Sequence, residues 1–149
     1  MRCHGASSAP DDPAHLAITG TAVSAGWQDD RMRADAAVLD LLDRFTAAMN
    51  SHDVDAVMAL VTDDIVFEST SPPPDGARYQ GRDAVRQIWA DMLAGTPQAR
   101  FAVEEQFAAG PRRAVVRWRY DWGDGHVRGA DLIAIRDGRI AESLAYVKG

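Results

Sequence analysis

Residues 113–136 read RAVVRWRYDWGDGHVRGADLIAIR, two alternating runs, Arg113 to Trp122 and His126 to Arg136, separated at Asp124-Gly125. Alternation of apolar and polar side chains is the period of a half-buried strand, and Asp-Gly between two such runs is a strong hairpin signal. Reading Asp124-Gly125 as a two-residue turn sets Gly123 opposite His126. Trp122 then faces Val127, Tyr120 faces Gly129, Trp118 faces Asp131 and Val116 faces Ile133, all on one side of the sheet. The opposite side pairs Asp121 with Arg128 and carries Arg117 and Arg119. One face is thus aromatic and apolar with a single carboxylate, while the other is charged. A three-residue loop would turn Asp131 toward the arginines; the opposite charges of Asp121 and Arg128 at facing positions favour the two-residue loop.

Working outward, Arg136-Asp137-Gly138 predicts a three-residue loop with a glycine bulge, leading into a last strand from Arg139 to Val147. That register puts Ser143 beside Asp131 and Ala145 beside Gly129, small residues that leave room for a ligand. Upstream, Arg100 to Ala108 reads as a further strand, closed by Gly110-Pro111. Before it, Asp83 opens a helix with Val85, Ile88, Trp89, Met92 and Leu93 on one side, ended by Gly95 and Pro97. Ile65, Phe67 and Ser69 alternate with Val66, Glu68 and Thr70 as a strand. Ser71-Pro72-Pro73-Pro74-Asp75-Gly76 forces an irregular loop, and Arg78-Tyr79-Gln80 reads as a brief extended piece. Two more helices come first. One runs from Asp35 with Val38, Leu41, Leu42, Phe45, Ala48 and Met49 on one side; the other is short, capped by Asp53, carries Val54, Val57, Met58 and Val61, and stops near Thr62-Asp63-Asp64. Three helices before a mostly antiparallel sheet make an α+β fold, with the helices covering one face of a curved sheet.

The chain has 149 residues, enough for one domain with a sizeable core. Residues 34–149 carry the periodic pattern. Residues 1–33, rich in Ala, Ser, Gly, Asp and Pro, read as a flexible N-terminal extension, with translation from Met32 as an alternative reading. Twenty-two acidic against sixteen basic residues give a formal charge of −6, the wrong sign for nucleic acid as a partner. One cysteine, Cys3, forms no internal disulfide, and neither a long apolar run nor a secretion signal is present, so a cytoplasmic protein with no membrane partner is expected.

A carboxylate among Trp118, Tyr120 and Phe45 resists ionisation, because a low-dielectric surround disfavours its charged form. Asp131 is therefore the candidate general acid or hydrogen-bond donor, the alternative being that it satisfies a buried Ser, Tyr or backbone group. Glu68 has the wrong strand parity for the same face, and Trp89 reads as core as readily as pocket wall. His52 and His126 flank turns and are expected to be exposed. No histidine pair has ligand spacing, so neither a metal nor another cofactor is expected. Ser143 lacks a histidine base. Arg112, Arg113, Arg117 and Arg119 form a basic patch expected to balance neighbouring acids or serve a dimer contact.

Several segments carry a resemblance: residues 42–56 from Leu42-Asp43-Arg44-Phe45 to Met49-Asn50-Ser51-His52-Asp53-Val54-Asp55-Ala56, the step Thr62-Asp63-Asp64-Ile65-Val66-Phe67, Gly81-Arg82-Asp83-Ala84-Val85-Arg86, and the closing run from Asp131 to Ile140. In order and spacing, residues 35–149 resemble the SnoaL-like branch of the nuclear transport factor 2-like superfamily. That resemblance implies a cystatin-like α+β barrel, a cone of bent sheet over a helix with a pocket inside, and a homodimer. Relatives include ketosteroid isomerase, limonene epoxide hydrolase and polyketide cyclases, so an isomerase, cyclase or hydrolase is one implied function and a non-catalytic binding or dimerisation module the other. Against ketosteroid isomerase, Asp131 matches the protonated Asp, a carboxyl that an apolar site keeps neutral so that it can donate a hydrogen bond. Phe45 stands where that enzyme has its Tyr donor and Ser69 where it has its Asp base. Arg119-Tyr120-Asp121 is similar to the Arg-x-Asp pair of the epoxide hydrolase, with Ala145 at the later acidic position and Arg119 and Asp121 turned to the other face. The expected pocket is lined by Phe45, Ser69, Tyr79, Trp89, Trp118, Tyr120, Ser143 and Ala145 around Asp131, and takes a small apolar or ring-containing ligand.

Overall fold

The structure is a computed structural model that describes residues 20–148, and side chains from residue 25 onward. Val38, Leu41, Leu42, Ala48 and Met49 fall on one stripe of a 3.6-residue period, and that stripe is what helix α1 (Gly20–Asn50) buries. The helix starts well before Asp35, so residues 20–33, assigned from sequence to the extension, are helical. Side chains 25–33 are all exposed, so no apolar stripe marks this stretch. Gln28, Arg31, Met32 and Arg33 are good helix formers, and Asp30 and Arg33 pair one turn apart at 3.8 Å. Residues 1–19 and Cys3 with them lie outside the described residues.

Asp53 caps α2 (Val54–Met58), its carboxylate accepting from the amides of Asp55 and Ala56 at 3.0 and 3.1 Å. The short helix ends before Val61, which the sequence pattern placed on its apolar side. Val61 is instead fully buried as the first residue of β1 (Val61–Glu68), paired with Ile140. Pairing with a distant strand overrides the local helical period here. After β2 (Arg78–Gln80) comes α3 (Arg82–Gly95), whose Val85, Trp89 and Leu93 are buried. The chain then meanders through β3 (Arg100–Ala108), β4 (Arg113–Asp121), β5 (His126–Arg136) and β6 (Arg139–Val147).

These strands form one sheet in the order β2-β1-β6-β5-β4-β3, antiparallel except for β1 beside β6. Register breaks in β1, at Glu104 in β3 and at Ala141 in β6 bend it around the helices. α1 is tied to the far edge by Asn50. Its side-chain amide donates to the Phe101 carbonyl at 2.9 Å and accepts from the Phe101 amide at 2.7 Å, as a neighbouring strand would.

Both turn registers differ from those expected. The β4–β5 connection has four residues, Trp122 to Gly125, so Tyr120 faces Val127, Trp118 faces Gly129, and Val116 faces Asp131. Arg128 lies opposite Arg119 rather than Asp121. The cause is local: Asp121 accepts the Gly123 amide at 3.0 Å, Gly123 takes φ 101°, and the Trp122 amide donates to the Gly125 carbonyl. At the next turn Arg136 faces Arg139 across two left-handed residues, Asp137 and Gly138, and the bulge sits at Ala141 instead. Asp131 consequently faces Ala145, with Ser143 diagonal to it opposite Ile133. The first slip is by two residues, an even number, so the faces are unchanged.

Candidate functional site

Because the faces survive, the odd-numbered residues of β5 and the even-numbered residues of β4 point toward the helices. Asp131, Phe45, Ser69, Tyr79, Trp89, Trp118, Tyr120, Ser143 and Ala145 all line one cavity of about 530 Å³. That is within the usual range for small-molecule sites. Exposed Ser71 and Pro72, from the proline-rich loop, also line it.

The aromatic walls are packed against one another. Trp89 meets Phe45 edge-on at 5.5 Å and Phe67 at 5.4 Å, while Phe67 and Tyr79, strand partners, stack at 6.2 Å. Phe101 lies 4.4 Å from Tyr120 and meets Trp118 at 87°. Rings held by several neighbours are preorganised, so ligand binding costs the protein little further rotamer entropy.

Asp131 is half-buried and both of its carboxyl oxygens are held. The Trp118 indole Nε1 donates to Oδ1 at 2.9 Å and the Ser143 hydroxyl donates to Oδ2 at 3.0 Å. Burial pushes the carboxyl above its ordinary range, against those two hydrogen bonds, which favour the ionised form. The acids of the outer face behave oppositely. Hydrogen bonds from Arg128 hold Glu104 below its ordinary range, and the Gly123 amide and Arg119 do the same for Asp121. One acid is therefore selected by its surroundings.

The other expected residues divide by what their polar atoms do. Ser143 is fully buried and its hydroxyl serves Asp131. Ser69 turns its hydroxyl away, donating to the Ser71 carbonyl at 2.7 Å and accepting the Ala77 amide at 3.1 Å, so it fastens the proline-rich loop. Gly76 completes that clasp, since a Cβ there would fall 1.8 Å from the Ser69 carbonyl oxygen. Glu68 pairs with Arg78 across the strands at 2.7 Å, and Arg117 bridges Glu104 and Glu105. His52 is half-buried rather than exposed, its Nε2 3.0 Å from the Ala99 carbonyl; His126 is exposed.

Phe101 escapes a reading of the sequence alone. Its partner Tyr120 is reached only through the β3–β4 register, which slips at Glu104. Thr96, at the end of α3, escapes it too; its hydroxyl lies 2.5 Å from the Tyr120 phenol. Among the described residues no cluster of His, Cys, Asp and Glu could hold a metal ion, and no helix is long and apolar enough to cross a membrane.

Comparison with known proteins adds the family. Residues 42–143 match the SnoaL-like domain. A nuclear transport factor 2-like protein of unknown function from Mesorhizobium loti is 41% identical, with a TM-score of 0.67 over 77% of this chain and 93% of that one. A candidate polyketide cyclase from Sinorhizobium meliloti is 25% identical, with a TM-score of 0.62 over 72% and 94%. A candidate ketosteroid isomerase from Kribbella flavida shares the fold at 19% identity, with a TM-score of 0.64 over 80% and 81%. A search of curated proteins finds no match. An α+β sheet bent over its helices, a cavity between them, and a domain match over most of the chain together make this protein a member of the SnoaL-like family, with the nuclear transport factor 2-like, cystatin-like fold.

Proposed function

We propose that the cavity binds a small, neutral, ring-containing molecule, and that Asp131, protonated, donates a hydrogen bond to an acceptor oxygen of that molecule. The observation that carries this reading is the isolation of Asp131. Among the described residues it is the only carboxylate lining the cavity, and no Lys, Arg or His lines it. An anionic ligand would find no counter-charge there, whereas a carbonyl or hydroxyl meets a proton donor. Trp118 can only donate, so Oδ1 remains an acceptor and the acid proton belongs on Oδ2, the oxygen shared with Ser143.

If the molecule is turned over, Asp131 is the general acid of an isomerase, cyclase or hydrolase. The second reading, binding without catalysis, is favoured by one observation: Phe45 and Ser69 leave the cavity without a second acid or base beyond the phenols of Tyr79 and Tyr120. Reactions needing separate proton donor and acceptor lack half their machinery.

The protein also acts, on this reading, as a cytoplasmic homodimer. Phe107, Val115, Leu132 and Leu144 stand in one row across four adjacent strands on the outer face of the sheet, with Phe107 47% and Leu132 40% exposed. The Arg117–Glu105 and Arg113–Glu142 pairs flank that row, giving an apolar centre with a charged rim.

A thermal-shift panel of neutral steroids, terpenoids and aromatic polyketide ketones, run across the whole pH range over which the protein stays folded, tests the site. At least one compound should raise the melting temperature, with affinity falling as pH rises and Asp131 ionises. Asp131→Asn always presents a donor, so it should bind the same compound without that pH dependence and lose any turnover. No binding by any compound, or wild-type binding indifferent to pH, contradicts the reading.

A further inference from the structure

Thr96 closes α3 with its hydroxyl 2.9 Å from the Met92 carbonyl and 2.5 Å from the Tyr120 phenol oxygen. A threonine hydroxyl has one hydrogen, and the Met92 carbonyl can only accept, so that hydrogen goes to Met92. The short contact to Tyr120 is then satisfied only if the phenol donates to Thr96. The opposite assignment would set the lone pairs of Thr96 against those of the Met92 oxygen. With its hydrogen committed, the phenol keeps only lone pairs for anything else, and Tyr120 lines the cavity.

Along β4 the site therefore has two polar groups of opposite character. Asp131 lies at the level of Val116, and Tyr120 is four residues further along β4, about 13 Å at 3.3 Å per residue. Trp118 and Phe101 wall the space between them. The hydrogens of Trp118, Ser143 and Ser69 are all committed to protein acceptors, so none of these supplies a donor near either group.

We infer that the cavity selects elongated neutral ring systems with a hydrogen-bond acceptor at the end meeting Asp131 and a hydrogen-bond donor at the end meeting Tyr120. Thr96 is the positioning residue that fixes the second end as acceptor-only. The inference rests on the reading that Asp131 holds a neutral ligand's acceptor oxygen in this cavity.

Testosterone and androstenedione are suitable probes, since they share a ring ketone and skeleton and differ at the far end, hydroxyl in one and ketone in the other. Calorimetric titration of the full chain should show testosterone binding about tenfold more tightly, the worth of one hydrogen bond gained against two acceptors opposed. Tyr120→Phe should bring the two affinities close together. Thr96→Val frees the phenol hydrogen and should shrink the preference or reverse it toward androstenedione, while Thr96→Ser, which keeps the hydroxyl, should preserve it. Wild-type protein without a preference, or a preference of full size in both Tyr120→Phe and Thr96→Val, overturns the inference. Equal binding that still follows Asp131 protonation would remove this inference alone; binding of neither steroid at any pH would remove it together with the reading beneath it.

Discussion

Trp118 passes directly over Gly129, its direct partner on the neighbouring strand: a Cβ on Gly129 would come within 2.5 Å of the indole Cζ2 and 2.3 Å of the Tyr146 carbonyl oxygen. That lack of a side chain is what lets the indole reach diagonally to Asp131. Gly129→Ala should therefore destabilise the protein by about 1–3 kcal/mol, the usual size of forced overpacking. It should also raise the Asp131 pKa further, because an ion-stabilising hydrogen bond is lost. Thermal denaturation and a carboxyl titration check the two parts; unchanged melting and titration would show that Trp118 does not depend on the glycine.

Stability should depend on pH through Asp131 with a defined sign. Its folded pKa is raised above the ordinary value of 3.8, so between those two values the folded state holds the proton more tightly than the unfolded state. The contribution is fully present below 3.8 and is lost as pH rises through the folded pKa. Urea denaturation of wild type and Asp131→Asn over a pH series should show wild type losing stability relative to the variant as pH rises. A relative gain would mean a carboxylate stabilised in its ionised form.

Asn50 substitutes for a strand at the edge of β3, and its loss leaves the Phe101 amide and carbonyl without those partners. Asn50→Ala should cost about 1–3 kcal/mol in chemical denaturation. A change below about 0.5 kcal/mol, typical of surface positions, would show that water replaces the amide freely.

The apolar row on the outer face gives a prediction for assembly. Light scattering should find twice the 16.2 kDa chain mass, and Leu132→Asp, which brings like charges together across a two-fold contact, should give the monomer with little change in cavity binding. A monomeric wild type contradicts the dimer.

The strand parity of Asp131 was legible in the sequence because the alternation around it survives an even slip in register; the actual partners were not, because Asp121 capping Gly123 relocates the turn by an interaction that residue propensities do not weight. The family resemblance, rather than any residue pattern, pointed to Ser69 as a cavity residue, yet its hydroxyl is taken by Ser71 and Ala77, a loop closure that no periodicity encodes. The same holds for Thr96. A threonine at a helix end is ordinary in sequence, and its value comes from meeting a residue on a strand formed later in the chain. The stretch of α1 over residues 25–33 was hidden because an exposed helix has no apolar stripe.

The most direct test is a carbon-detected NMR titration of the Asp131 side-chain carboxyl in the folded protein. Its midpoint should lie clearly above 3.8, with Glu104 and Asp121 titrating below their ordinary values in the same experiment. An Asp131 midpoint at or below 3.8 would reveal a solvated or charge-paired carboxylate, and the cavity would then have no proton to offer.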